Sequence, residues 1–125
     1  MWIYIGASFP RKNEARELAN ILRADGHYIC SSWMGDAESV YDNGKADKAE
    51  SIFEAEQDFD DIANCHIFIM ISGDTFSRGG RHTELGIALA LHKRVIVFGP
   101  PESVFCSHGR VTVVQDIVRL KEALI

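Results

Sequence analysis

HisIlePheIleMetIle, residues 66–71, is an unbroken apolar run of strand length. A strand with no polar side must be covered on both faces, which is the position of a central strand in a parallel sheet. ArgValIleValPhe, residues 94–98, is a second run of the same kind. Between them lie a glycine loop and a helix from about His82 to His92, apolar nearly all round and therefore expected to be buried. Upstream, Met1 to Ala7 is short, apolar and β-rich. Pro10 is placed to open a helix, in which Ala15, Leu18, Ala19 and Leu22 fall at helical spacing and Gly26 is the stop. His27 to Cys30 reads as another strand, and the tail adds ValThrValVal, residues 111–114, and an amphipathic helix from Asp116 to Ile125. Strand and helix alternate throughout. Because each crossover must be right-handed and must bury its helix, the simplest assembly is an α/β three-layer sandwich of flavodoxin- or Rossmann-like type, with a five-stranded parallel sheet. At 125 residues and 46% hydrophobic content, residues 1–125 form one domain with a single core.

Two stretches carry less regular patterns. Residues 31–45 are rich in Gly, Asp, Asn and Ser, with two isolated aromatics, Trp33 and Tyr41, and read as a long loop. Residues 46–64 return to helix, with Ile52, Ala55, Phe59 and Ile62 on one stripe. That periodicity puts Asp58 on the border of the stripe and turns Asp60 away, so Asp58 is the carboxylate of the acidic run expected to face other protein.

Charge and composition exclude several classes. A net charge of −5 argues against polymeric nucleic acid and against an anionic membrane surface, both of which call for clustered Lys and Arg. No apolar run approaches the roughly 20 residues that span a bilayer, and Met1 leads directly into strand-like TrpIleTyrIle, so a cytoplasmic protein is expected. Cys30, Cys65 and Cys106 are odd in number and far apart, which suits buried free thiols rather than a disulfide framework or a CxxC metal site.

In sheets of this kind ligands bind at the carboxyl ends of the strands, here the segments after Ile5, Cys30, Ile71 and Phe98. The loop SerArgGlyGlyArg, residues 77–81, leaves the central strand at that edge and leads to Glu84, which is expected in the first turn of its helix, where the macrodipole holds a carboxylate ionised. Gly79 and Gly80 let backbone approach a ligand, and Arg78 and Arg81 could hold a phosphate. Neither GxxxxGK[ST] nor GxGxxG is present, so a P-loop NTPase and a dinucleotide fold are disfavoured. HisThrGlu, residues 82–84, mimics the HxE of zinc deaminases, but the PCxxC that supplies their other ligands is missing. No signal points to a metal or an organic cofactor. Trp33 could stack on a base or cover the edge of the core.

Four segments together resemble the nucleoside 2-deoxyribosyltransferase family, which includes the 2'-deoxynucleoside 5'-phosphate N-hydrolases: TyrIleGly at 4–6, GluGlnAspPheAspAspIle at 56–62, GlyGlyArgHisThrGluLeuGlyIleAlaLeuAla at 79–90, and LysArgValIleValPheGlyPro at 93–100. The resemblance covers most of the chain. It implies that Glu84 is the nucleophile that attacks the anomeric carbon, that Tyr4 orients it, and that Asp58 assists protonation of the departing base. This is the logic of retaining glycoside cleavage. It further implies that Gly6, Ser8 and Phe9 after the first strand, and Ser77 with Gly79 and Gly80 on the glycine loop, contact sugar or phosphate. A homodimer or larger homo-oligomer is also implied, with residues 101–108 in the stretch that reaches a neighbouring subunit's site in family members.

Two functional classes lead, ahead of a weaker third, a plain interaction domain of flavodoxin-like fold. One is cleavage of the N-glycosidic bond of a 2'-deoxynucleoside or its 5'-monophosphate through Glu84, resolved by water or by a second base. The other is a nucleotide-sensing module of the same fold that binds without turnover. Tyr4, Asp58 and Glu84 together favour the first, since a pure binder needs no nucleophile and acid.

Overall fold

The computed structural model describes residues 1–35, 48–73 and 79–125. The five strands are β1 (Trp2–Gly6), β2 (Tyr28–Ile29), β3 (Ile67–Ile71), β4 (Arg94–Phe98) and β5 (Val111–Val114). The four helices are α1 (Lys12–Ala24), α2 (Lys48–Asn64), α3 (Gly80–Ala90) and α4 (Ile117–Ala123). All strand pairings are parallel, in the order β2-β1-β3-β4-β5. That is the flavodoxin-like order, and its chain reversal falls between β1 and β3.

The central position expected for residues 66–71 is the one found: every residue of β3 is buried. Side chains alternate across the sheet and divide the core in two. Ile3, Ile5, Ile67, Ile69, Ile71 and Ile96 pack with Ala15, Leu18, Ala19 and Leu22 of α1 and Leu120 of α4. Tyr4, Phe68, Met70, Val95 and Val97 pack on the opposite face with Ile62 of α2 and Leu85, Ala88 and Leu89 of α3. Tyr4 lies opposite Phe68 in register, and their rings stack 5.6 Å apart at 15°.

Basic side chains close three helix C-termini, where unpaired carbonyls and the dipole favour a cation. Lys93 Nζ donates to Ala63 O at 2.7 Å for α2, Arg110 Nη2 to Leu89 O at 2.7 Å for α3, and Arg94 Nη2 to Ala123 O for α4. Asp116 closes the other end of α4 by accepting from Arg119 N at 2.8 Å. Along the carboxyl edge of the sheet, Ser72 stitches β3 to β4. Its N–H donates to Phe98 O and its hydroxyl to Pro100 O at 2.7 Å, and its own carbonyl accepts from Arg11 Nη1 at 2.7 Å.

Several sequence expectations need correction. Pro10 lies in a short 3-10 turn, Phe9–Arg11, that leads into α1 rather than in the helix itself. α3 starts at Gly80, two residues before the expected position, because Gly79 in the left-handed region (φ +91°) turns the chain into the helix. α3 is not buried all round either: Thr83, Gly86 and Ala90 are exposed, so its small residues form an outer face. The stripe expected on α2 does not cover the core. Ile62 is buried, but Ile52 (47% exposed), Ala55 and Phe59 (47%) face outward. The line of α2 that meets the sheet runs instead through Asp58, Asp61 and Ile62, since the helix engages its neighbours mainly by its last turns.

Candidate functional site

Tyr4 is the third residue of β1 and is fully buried, with its ring clamped by Phe68. Its hydroxyl donates to Glu84 Oε2, which joins β1 to α3. Glu84 reaches this position from the fifth residue of α3, and Leu85 and Ala88 anchor that helix in the core. It does not sit in the first turn as expected, so the amide groups of the helix start are a turn away. The space between them is left by Gly6. A Cβ there would crowd the Phe68 ring at 3.1 Å and touch Glu84 Oε1 at 3.5 Å, so glycine leaves the Phe68 ring its place beneath the carboxyl.

Burial decides the electrostatics. Loss of hydration pushes the Glu84 carboxyl up to about 8; the Tyr4 hydrogen bond pulls it down and the charge of Asp58 pushes it further up. The carboxylate expected to be held ionised is thus mainly protonated at neutral pH. The reason is that desolvation outweighs the dipole, which fades beyond the first turn. Asp58, half-buried on α2, is also raised, to about 6, by burial first and then by Asp61 and Glu54. The Tyr4 hydroxyl is held well above its ordinary value by burial and by the Glu84 and Asp58 charges, so it remains a donor.

The remaining predicted residues occupy the same edge to different degrees. Ser8 precedes the 3-10 turn Phe9–Arg11. Phe9 is half-buried and faces Trp33, with ring centroids 6.4 Å apart, and Lys12 Nζ lies 4.8 Å above its ring. Trp33, left open by the sequence, is half-buried and fixed by an indole N–H bond of 2.6 Å to Ile5 O at the end of β1. Gly79 accepts from Thr83 through its carbonyl, and Gly80 is exposed. Ser77 and Arg78 lie outside the described residues. Arg81 is not placed as a phosphate ligand. It is 2% exposed and pairs with Glu102 through Nη2 at 2.8 Å and Nε at 3.3 Å, so its charge is spent on joining α3 to the segment after β4.

Sequence reasoning missed three residues. Arg11 reaches the β1–β3 junction through its bond to Ser72 O. Asp61, and not a residue of the apolar stripe, holds α2 to the segment after β2. Phe68 supports Tyr4. Alternation along β1 and β3 could have paired Tyr4 with Phe68 once register was known, but nothing local marks Arg11 or Asp61.

No protein-family model matches the chain, and no curated protein matches it by sequence. Solved structures do. A CMP N-glycosidase from Clostridium botulinum superposes with a TM-score of 0.65 at 17% identity, over 100% of each chain. A 2-deoxyribosyltransferase from Bacillus psychrosaccharolyticus superposes with a TM-score of 0.80 at 20% identity, over 97% of this chain and 90% of that one. The chain shares their fold. At this level of identity the comparison carries the architecture and not the chemistry.

The raised Glu84 carboxyl has a signature in stability. Its titration moves from an ordinary 4.5 to about 8, so the stability tied to its protonated form is complete below 4.5 and is lost as pH rises through 8. Glu84→Gln keeps the neutral form. Its melting temperature should match that of the parent near pH 4.5 and exceed it by several degrees at pH 8.5, as read by circular dichroism; an equal or lower value at pH 8.5 contradicts the burial argument.

Proposed function

We propose that the chain cleaves the N-glycosidic bond of a 2'-deoxynucleoside or its 5'-monophosphate through a covalent deoxyribosyl ester on Glu84, which water or a second base then resolves. The observation that carries this reading is the buried Glu84 carboxyl bonded to the Tyr4 hydroxyl beside Gly6, at the carboxyl edge of the sheet, where ligands of such folds bind. Two solved enzymes that share this fold, one named an N-glycosidase and one a deoxyribosyltransferase, support it.

In the proposed reaction, Glu84 Oε attacks the anomeric carbon as the bond to the base breaks, through an oxocarbenium-like transition state. Positive charge developing on the sugar stabilises the ionised carboxylate, and the Tyr4 hydroxyl keeps it oriented. Asp58 gives its proton to the leaving base. A 2-deoxy sugar lacks the electron-withdrawing hydroxyl that would destabilise the cation, which favours deoxy substrates. In the second half-reaction water, or the nitrogen of an incoming base, attacks the same carbon. Glu84 leaves as a carboxylate, and the proton lost by the nucleophile returns to Asp58.

The resting pair stores its proton in the opposite place. With Glu84 near 8 and Asp58 near 6, the neutral-pH enzyme holds Glu84 protonated and Asp58 ionised. The reactive arrangement, with the proton on Asp58, is then the minor form of the free enzyme. The rate pays for this population, while a poorly solvated carboxylate gains nucleophilicity once formed.

A homodimer belongs to the same reading. Ile52, Phe53 and Phe59 on α2, with Val104 (78% exposed) and Phe105 (63%) after β4, leave apolar surface suited to a second copy. No described helix is long and apolar enough to cross a membrane. Three free cysteines suit the reducing cytoplasm in which we place the reaction.

Incubation with a panel of deoxynucleosides and their 5'-monophosphates, with and without a second base, should release or exchange base by chromatography. Glu84→Ala should lower that rate by about a thousandfold or more. Turnover of none of these substrates, or undiminished turnover by the variant, overturns the proposal. The value of kcat/KM should follow a bell with limbs near pH 6 and pH 8; a pH-independent rate across that window contradicts the proton assignment. Sedimentation at micromolar concentration should give twice the 14.0 kDa chain mass, and a monomer removes the dimer from the reading.

A further inference from the structure

Asp61 stands one turn beyond Asp58 on α2, at the i+3 spacing that puts two side chains on the same helix face. It is buried, at 8% exposure, and both of its carboxylate oxygens are occupied by donors from different parts of the chain. Oδ2 accepts from Ser32 N at 2.9 Å and Oδ1 from Gln57 Nε2 at 3.0 Å. Two donors of this kind match the acceptor-only character of a carboxylate anion. Ser32 opens the short 3-10 turn Ser32–Met34 that carries Trp33, and the Trp33 indole is bonded to the end of β1. A single carboxylate therefore ties the helix bearing Asp58 to the aromatic wall at the edge of the site.

We propose that Asp61 is a positioning residue, pinned between Ser32 and Gln57 as a fixed negative charge one turn from Asp58, where it keeps the Asp58 proton available for the departing base. The inference rests on the function proposed above. The charged and titratable groups acting around Asp58 are Glu54 and Asp61 from α2 itself, Tyr4 from β1 and Glu84 from α3. None of these supplies a positive charge. Burial is the larger influence on Asp58, Asp61 comes next and Glu54 after it. Glu54 lacks the paired donors that fix Asp61, so the geometry singles out Asp61 as the group that sets Asp58 reproducibly.

The test is Asp61→Asn in the full chain. The substitution preserves shape and leaves an oxygen to accept from Ser32. Carbon-detected NMR titration of the Asp58 carboxyl in the parent and the variant should place the variant midpoint lower by about half to one pH unit. The acid limb of kcat/KM should move down with it, and the top of the bell should fall about three- to tenfold, because less of the enzyme then holds the proton on Asp58. A residue that only held the fold together would lower the rate without moving the midpoint, and an unmoved midpoint overturns the proposal. Should Asp61→Asn fail to fold, Gln57→Leu on the half-buried helix surface decides. It removes one of the two donors and should move the same midpoint down by a smaller amount; no movement again overturns the proposal. The midpoint is read without substrate, so a parent protein that turns nothing over defeats the proposed reaction while the titration still judges the role of Asp61.

Discussion

The carboxyl group of Glu84, largely withdrawn from water and bonded to the hydroxyl of Tyr4, is the constraint around which this half of the molecule is arranged. A buried acid with no partner would be costly, and a buried tyrosine hydroxyl would be costly too. Each satisfies the other only if β1 and α3 meet at the right height. Phe68 holds the Tyr4 ring from the neighbouring strand, Gly6 leaves the opening above it, and Leu85 and Ala88 set the depth of α3. The parallel register of β1 on β3, Tyr4 opposite Phe68 and Gly6 opposite Met70, is thus part of the site and not only of the scaffold.

The same neighbourhood is uniformly acidic. Asp61 and Glu54 raise Asp58, Asp58 raises Glu84, and the Tyr4 hydroxyl is raised by Glu84, Asp58 and Asp61, with no basic side chain among these influences. Such a cluster is an unfavourable arrangement for folding, and strained or mutually repelling groups of this kind gather where function requires them. Four basic residues of the described chain are engaged elsewhere. Lys93, Arg94 and Arg110 close helices, and Arg81 is committed to Glu102. Among the described residues no positive charge acts on Tyr4, Asp58 or Glu84, which leaves them suited to hold a proton, and holding a proton for a leaving base is the task proposed for them.

The fold was legible because its signals are cooperative along the chain. Residues 66–71 and 94–98 have no polar face, and only the middle of a parallel sheet accommodates that. The conjunction of Tyr4 with Glu84 was legible only through resemblance, because 80 residues separate them and no local pattern encodes the meeting. The α2 stripe misled because apolar periodicity states that a face is covered, not by what; Ile52 and Phe59 follow the helical period yet face away from the chain's own core. Arg81 misled in the opposite sense. Charge in a glycine loop reads as a ligand contact, whereas its partner Glu102 lies 21 residues on, beyond the reach of any motif. The protonation of Glu84 was out of reach as well, since the start of α3 had to be known to within a turn, and desolvation depends on packing that sequence does not list.

The sheet also acts as a partition. Isoleucines on one side of β1 and β3 belong to a layer with α1 and α4, while the tyrosine, phenylalanine and methionine between them belong to the layer that holds the acids. Neighbouring positions on one strand therefore answer to different demands. The rear compartment can accumulate substitutions that strengthen the molecule without disturbing the front one, and the front can drift toward new chemistry while the rear keeps the chain folded. Evolvability, in this architecture, is a property of the two-residue repeat of a β-strand.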